Sequence, residues 1–243
     1  GPYDAAKACI ARIPRIKELN IGVGKIADNT GKVNVTDGGT GNFISQGTTD
    51  FFFNVLYGMG VSVTDLTSDQ QADVTFIASA GVKGSMRTPS FIVRGSVTAL
   101  DFAEQSNVGE LSLYGFGPKT RAYNAVGRMD VRLVTLPGGK LPSNIEVATS
   151  SVFKQFLAVE TETGFGSFIG SGPGLTFASF RFGESMREPM QYTMGFMVDY
   201  AAGDMILQLL QKEGDAGQRN AAEQCRALLG APSPSVTQVA EAK

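Results

Sequence analysis

Residues 121–135 read RAYNAVGRMDVRLVT, and this long alternating run decides the fold. Apolar or small residues occupy one face of the run: Tyr123, Ala125, Gly127, Met129, Val131 and Leu133. Polar residues occupy the other face: Asn124, Arg128, Asp130 and Arg132. Alternation with a period of two predicts a strand, and this one exceeds the usual ~5–6 residues. With the strand-like stretch 105–116 and a turn at 117–119, it predicts a first long hairpin.

A second long hairpin is predicted over 152–184, with its turn at the glycine-rich stretch 170–174. One face of its arms is apolar and includes Phe165, Phe180 and Phe182, and the other includes Glu160, Glu162 and Arg181. If the polar face lines a water-filled lumen, the three phenylalanines face lipid and the three charged residues face the lumen. The alternative for Glu160 and Glu162 is the commoner case, two solvated surface carboxylates.

The remaining segments predict an ordinary α/β domain around these hairpins. Strands are predicted over 18–27, 61–66 and 90–100, and a long loop rich in Gly, Asn, Asp and Thr follows the first of them. A helix is predicted over 44–59, and a methionine-striped helix begins near Pro189 and stops at Gly214. A last amphipathic helix is predicted over 215–229, and 231–243 is predicted to be a flexible tail.

Composition excludes several classes of protein. The 243 residues carry 21 Lys and Arg against 23 Asp and Glu, which argues against a binder of nucleic-acid phosphates. The absence of His removes every catalytic arrangement and every metal site that needs it. We predict no metal, no cofactor and no enzymatic activity. No apolar run predicts a transmembrane helix, and no basic-then-apolar stretch predicts a signal peptide after Gly1.

The glycines of the first strand imitate a nucleotide-binding motif. Gly22-x-Gly24-x-x-Ala27 follows the spacing of the dinucleotide fingerprint. That fingerprint needs a helix to open at its third position, whereas Asp28-Asn29-Thr30-Gly31 predicts a turn. The sequence therefore predicts no nucleotide cofactor at this strand.

The two cysteines leave two interpretations open. Cys9 and Cys225 lie near opposite ends of the sequence. They form one disulfide if the compartment is oxidising, or they are two unrelated buried thiols.

Five segments between Leu19 and Leu210 carry a resemblance to a known family. They are NIGVGKIADNTGKV, GNFISQGTTDFFFNVLYGMGVSVTDL, FIVRGSVTALDF, YNAVGRMDVRLVTLPGGKL and ESMREPMQYTMGFMVDYAAGDMILQL. In this order they resemble the curli production assembly/transport family, outer-membrane secretion channels of Gram-negative bacteria. The sequence resembles a holdfast-anchoring member of the family, which handles a surface adhesin, equally well. Family members are lipoproteins whose first mature residue is Cys, whereas this sequence begins with Gly1.

The resemblance implies an α+β fold in which two inserted amphipathic hairpins join those of other subunits in an oligomeric transmembrane β-barrel. It divides the chain into six parts: 1–100, a periplasmic α/β domain with a pore-constriction loop over 28–43; 101–127, the first membrane hairpin; 128–151, periplasmic strands; 152–184, the second membrane hairpin; 185–230, periplasmic helices; and 231–243, the tail. In the family this loop lines the narrowest part of the pore. Asn42 and Phe43 match the Asn and Phe whose side chains form rings there. The loop lacks the Tyr of the best-known channel, and Val35 or Thr36 takes its place.

The function implied is passage of unfolded adhesin or fibre subunits to the cell surface, or their anchoring there. The resemblance implies a homo-oligomeric ring of about nine subunits in the outer membrane. Its partners are the exported polypeptide and periplasmic and extracellular accessory proteins, with no nucleic acid. The alternative is a soluble periplasmic ring or binding module that recruits surface adhesins without forming a channel. An enzyme is the third and least supported hypothesis.

Overall fold

A single sheet of seven strands organises the chain in the computed structural model. The structure describes residues 3–30, 47–67, 89–105, 121–136, 145–160, 165–171, 177–181 and 187–230. The helices are α1 (Asp4–Ala11), a 3₁₀ helix (Pro14–Glu18), α2 (Gly47–Gly58), α3 (Arg187–Glu213) and α4 (Ala216–Gly230). The strands are β1 (Asn20–Asp28), β2 (Ser62–Asp65), β3 (Phe91–Gln105), β4 (Arg121–Thr135), β5 (Glu146–Glu160), β6 (Phe165–Ser171) and β7 (Phe177–Arg181). The predicted mixture of helices and strands is confirmed.

The sheet is parallel on one side and antiparallel on the other. β1 lies between β2 and β3 and pairs in parallel with both. From β3 onward each strand pairs antiparallel with the next, which gives the order β2-β1-β3-β4-β5-β6-β7. Within the described residues, β2 and β7 are the two edges of an open sheet.

The first long hairpin has a different partner strand from the one predicted. β4 spans Arg121–Thr135, as its alternation predicts. However, β3 continues past Leu100 and pairs with β4 from Phe91 opposite Thr135 to Gln105 opposite Ala122. The predicted pairing of 121–135 with 105–116 is therefore wrong. The predicted turn at 117–119 lies outside the described residues.

The second predicted hairpin is built from three strands instead of two arms. β5 ends at Glu160, and β6 turns back so that Gly166 lies opposite Glu160. β7 then pairs with β6, with Arg181 opposite Phe165. The sequence did not show where β5 ends, because Thr161 and Thr163 suit a strand and continue the alternation beyond Glu160.

Helices α2 and α3 cover one face of the sheet, which we call the helical face. Its strand residues alternate along the chain and are at most 2% exposed: Ile21, Val23, Val93, Val97, Met129, Val131 and Leu133. They share one core with Phe52 and Leu56 of α2 and with Met197 and Ala201 of α3. Each large side chain buried in this way stabilises the fold by about 1.5–3 kcal/mol.

Glycine permits the close approach of α3 to β4. A Cβ at Gly127 would lie 2.7 Å from Sδ of Met197. Further along the same helix, Gln208 forms hydrogen bonds with the backbone of β5. Its side chain donates to the carbonyl of Thr149 over 2.7 Å and accepts from the Thr149 N–H over 3.2 Å. A side-chain amide of α3 thus occupies the position of a neighbouring strand beside β5.

Helices α1 and α4 form a second helical layer over α3. Cys9 of α1 and Cys225 of α4 are joined in a disulfide, with a Cα–Cα distance of 5.5 Å. Of the two interpretations, the structure therefore has the disulfide. Lys7 of α1 lies 3.0 Å from both carboxylate oxygens of Asp199 on α3. Burial opposes the charged form of Lys7, but its hydrogen bond to Asp199 and the attraction of that carboxylate outweigh burial and raise its pKa.

Candidate functional site

The face of the sheet opposite the helices is polar, and we call it the open face. The side chains that alternate with the core residues lie here: Arg94, Ser96 and Thr98 on β3, Arg128, Asp130 and Arg132 on β4, and Thr149, Ser151 and Phe153 on β5. Most of them are exposed, and Phe153 is 62% exposed. Among the described residues, no helix packs on this face.

A β-bulge in β1 brings a lysine to the open face. Val23 lies opposite Val93 and Ile26 lies opposite Gly95, so that Gly24 and Lys25 together face the single residue Arg94. The extra residue shifts the alternation, which keeps Ile26 in the core and leaves Lys25 exposed. Without the bulge, Lys25 would occupy a core position.

Two glycines of β1 form a low floor beside this lysine. A Cβ at Gly22 would lie 2.3 Å from Cδ1 of Leu66, so Leu66 lies directly over the strand. A Cβ at Gly24 would lie 3.3 Å from Cδ1 of Ile92 and 3.6 Å from Cγ of Arg94. The Gly-x-Gly of the apparent nucleotide motif therefore serves packing on the open face.

Two arginines face each other across neighbouring strands. Arg94 of β3 and Arg132 of β4 are a direct cross-strand pair, and both are exposed. Like charges directly opposite each other destabilise a sheet. Among the described residues, neither arginine forms an ion pair, and neither does Lys25. Three cations with unused hydrogen-bonding capacity therefore lie on adjacent strands.

Asp130 is the acidic counterpart of this group, but its oxygens are already engaged. Ser151 donates to Oδ1 over 2.5 Å, Thr98 donates to Oδ2 over 3.3 Å, and Nε of Arg128 lies 3.3 Å from Oδ2. The hydrogen bond from Ser151 lowers the pKa of Asp130, burial opposes this effect, and the Arg128 charge adds to the lowering. Ser151, Thr98 and Arg128 therefore favour the ionised form of Asp130, which lies next to the Arg94 and Arg132 pair without forming an ion pair with it.

A groove of about 680 Å³ runs over these residues. It crosses β1, β3, β4 and β5 and is open to solvent, with Lys25 and Asn29 at one end and Glu146 and Thr149 at the other. Arg94, Ser96 and Arg132 line its middle, and Leu66 and Ile92 form an apolar part of its floor. Because neighbouring strands lie ~4.8 Å apart, the groove extends about 14 Å across the strands.

The predicted pore loop starts and ends at one end of the sheet, which we call the distal end. Asp28 closes β1 there, with Oδ1 accepting from the Thr30 N–H over 3.0 Å. Thr49, near the start of α2, accepts the N–H of Ile26 over 3.2 Å, so the segment leaves and returns at the same place. Val35, Thr36, Asn42 and Phe43 themselves lie outside the described residues.

The residues predicted to divide between lipid and lumen belong to β5–β7 at the same distal end. Glu162 and Phe182 lie outside the described residues. Phe165 lies opposite Arg181, and Phe180 lies opposite Gly166, which in turn lies opposite Glu160. The pairing gives the strand register only, and the predicted division between lipid and lumen stays a prediction.

Comparison with known proteins adds little to this geometry. No family profile matches the chain, and no curated protein matches it. A solved structure that it resembles is that of a neuraminyllactose-binding hemagglutinin homolog from Helicobacter pylori, with 8% identity over 85% of this chain and 90% of that chain. The TM-score is 0.33, too low to support an argument about fold or function.

Among the described residues, no helix is long and apolar enough to cross a membrane. The same residues contain no group of three or more Cys, Asp or Glu side chains placed to hold a metal ion.

Sequence reasoning missed the groove on the open face. It placed Arg128, Asp130 and Arg132 on one face of β4 but did not connect them with Lys25 or Arg94. The GKI of β1 breaks the alternation of Ile21 and Val23, and that break was the available signal of a bulge. The opposition of Arg94 to Arg132 depends on the register of β3 with β4, which requires the structure.

Proposed function

We propose that this chain is one subunit of an outer-membrane secretion channel of the curli type, which passes unfolded adhesin or fibre subunits to the cell surface or anchors them there. The helix-covered part of the sheet forms a periplasmic domain, and the strands of the distal end enter the membrane. About nine subunits form the ring, and the loop over 28–43 lines the constriction, with Asn42 and Phe43 as its narrowest rings.

The observation that supports the proposal best is the length and direction of the central strands. β3, β4 and β5 have 15 residues each, or about 50 Å. Their core half is covered by α2 and α3, and the ladder continues beyond Leu100 and Val152 through β6 and β7 at the distal end. The segment proposed as the constriction opens from the same end.

Physical chemistry favours a ring over a single chain at this end. Strands of ~9–11 residues suffice to cross a bilayer. Open sheet edges are not tolerated in hydrocarbon, and β7 is an edge of this sheet. Strands from neighbouring subunits must therefore pair with one another if they enter the membrane. The disulfide between Cys9 and Cys225 suits an oxidising compartment such as the periplasm.

A second candidate function is favoured by the groove on the open face. A soluble periplasmic ring or binding module that recruits adhesins also needs a polar, solvent-open binding surface, and the groove provides one. The two candidates differ in their need for detergent, since only a channel exposes a lipid-facing belt.

Imaging of the full chain tests the proposal. The protein is expressed with an outer-membrane export signal, extracted in detergent and viewed by electron microscopy. We expect rings of uniform size with a central hole, which dissociate or aggregate when detergent is removed. A monodisperse particle that stays soluble without detergent contradicts the channel and supports the binding module.

Single-channel conductance tests the constriction separately. We expect Asn42→Ala and Phe43→Ala to enlarge the conductance of intact rings, because each removes a ring of side chains from the narrowest part. Asn54→Ala, at an exposed position of α2, is the matched control and leaves conductance unchanged. Unchanged conductance in both loop variants, with rings intact, shows that another segment sets the pore.

A further inference from the structure

We infer that the groove on the open face binds a carboxylate-bearing segment of an acidic polypeptide in extended conformation. This inference concerns the open face of the part of the sheet that α2 and α3 cover on its other face, and it holds whether or not the chain forms a channel. Its basis is the juxtaposition of Lys25, Arg94 and Arg132 in an open groove that crosses four strands.

The charge of the groove favours an anionic ligand. Arg94 and Arg132 lie directly opposite each other, and neither has an acidic partner among the described residues. The bulge in β1 adds Lys25 on the next strand. A sheet that carries uncompensated like charges side by side is stabilised when an anion binds between them. Arginine forks match carboxylates in two-point hydrogen bonds, so the arrangement favours a planar oxyanion.

Among the described residues, the two carboxylates that line the groove, Asp130 and Glu146, form no ion pair with these three cations. The oxygens of Asp130 accept hydrogen bonds from Ser151 and Thr98, and Arg128 forms an ion pair with Asp130. Glu146 lies at the far end of the groove, at the start of β5. Because these two carboxylates stay near the site, a doubly charged phosphate is repelled more strongly than a singly charged carboxylate.

The span of the groove is compatible with an extended ligand. About 14 Å across the strands accommodates four or five residues of extended chain, which advance ~3.3 Å each. Its cations lie on three successive strands, and Leu66 and Ile92 offer apolar contact beside them. Ser96, Thr149 and Asn29 add hydrogen-bonding side chains. An extended peptide with alternating acidic and uncharged residues matches this sequence of contacts.

Calorimetry on the full chain with defined probes tests the inference. The probe is a blocked hexapeptide in which Asp and Thr alternate, and the controls are the matching Asn and Thr peptide and inorganic phosphate. We expect the acidic peptide to bind with an affinity that falls as salt is added, and the neutral peptide to bind at least about tenfold more weakly. Equal binding of the two peptides, or tighter binding of phosphate, overturns the inference.

Matched variants locate the binding. Arg94→Gln and Arg132→Gln each leave the fold intact, as circular dichroism checks, and each weakens the acidic peptide about tenfold or more. Arg15→Gln is the control, because Arg15 lies on the 3₁₀ helix and pairs with Glu18 away from the groove. Binding that responds equally to all three variants reflects overall charge and contradicts a site in the groove.

Discussion

The helical face and the open face are made from alternate residues of the same strands, yet they differ in burial and in charge. On β4, Val131 is 2% exposed and packs against the helices, whereas its neighbour Arg132 is exposed and faces Arg94. The helical face gains stability from burial of apolar surface, and the open face gives some stability up by placing like charges together. The difference shows that the first face stabilises the fold, whereas the second leaves charged side chains exposed.

The β1 bulge shows how the two faces are kept apart. β1 has one additional residue between Val23 and Ile26. Because of it, Ile26 packs in the core and Lys25 lies on the open face. Bulges commonly re-aim a side chain next to a functional site. Here the re-aimed side chain is Lys25, which joins the arginines in the groove.

The largest expected effect contrasts adjacent residues of β4. Val131→Asp places an unpaired carboxylate in the core and is expected to destabilise the protein by about 3–5 kcal/mol. Arg132→Asp removes a like-charge opposition and creates an attractive pair with Arg94, so we expect a change within about 0.5 kcal/mol, in the stabilising direction. Urea unfolding of the two variants measures both. Similar losses in both would erase the distinction between the faces.

The disulfide provides the next effect, because it lies wholly on the helical side. Replacing both partners in a Cys9→Ser, Cys225→Ser variant is expected to lower the free energy of unfolding by about 2–5 kcal/mol. Unfolding curves with and without a reducing agent measure this difference. The reducing agent should lower the free energy of unfolding of the wild type to that of the variant and leave the value of the variant unchanged. A wild-type protein that does not respond to reduction contradicts the prediction.

The smallest effect concerns the ionisation of Asp130 on the open face. Ser151→Ala removes the main hydrogen bond that lowers the pKa of Asp130, so we expect that pKa to rise toward the ordinary 3.8. A lowered pKa in the folded state adds stability above pH 3.8, and this stability is lost as the pH falls through the folded value. The variant should therefore lose less stability on acidification than the wild type.

Carboxyl NMR titration of Asp130 measures this shift directly. Ser62→Ala, at an exposed position of the remote strand β2, is the control and should leave the titration unchanged. If Ser151→Ala leaves the pKa of Asp130 where it is, Arg128 and Thr98 hold the carboxylate without help from Ser151.

Local patterns predicted the elements better than the pairings. The period-two run of 121–135 and the methionine stripe after Pro189 predicted β4 and α3, because a single periodicity persists through each. The partner of β4 was predicted incorrectly because register depends on contacts between distant segments. Of the groove, the residues of β4 could be foreseen, but the approach of Lys25 depends on a bulge and that of Arg94 on register.

The disulfide also changes what a broken backbone means for this protein. Cys9 and Cys225 are 216 positions apart, so they enclose almost every loop of the chain within one covalent ring. A protease that cuts a single exposed loop inside this ring yields a nicked molecule whose pieces stay attached. On a denaturing gel such a molecule runs as one species until a reductant is added, and then it separates into two. A single cut thus opens the ring without releasing any part of the protein.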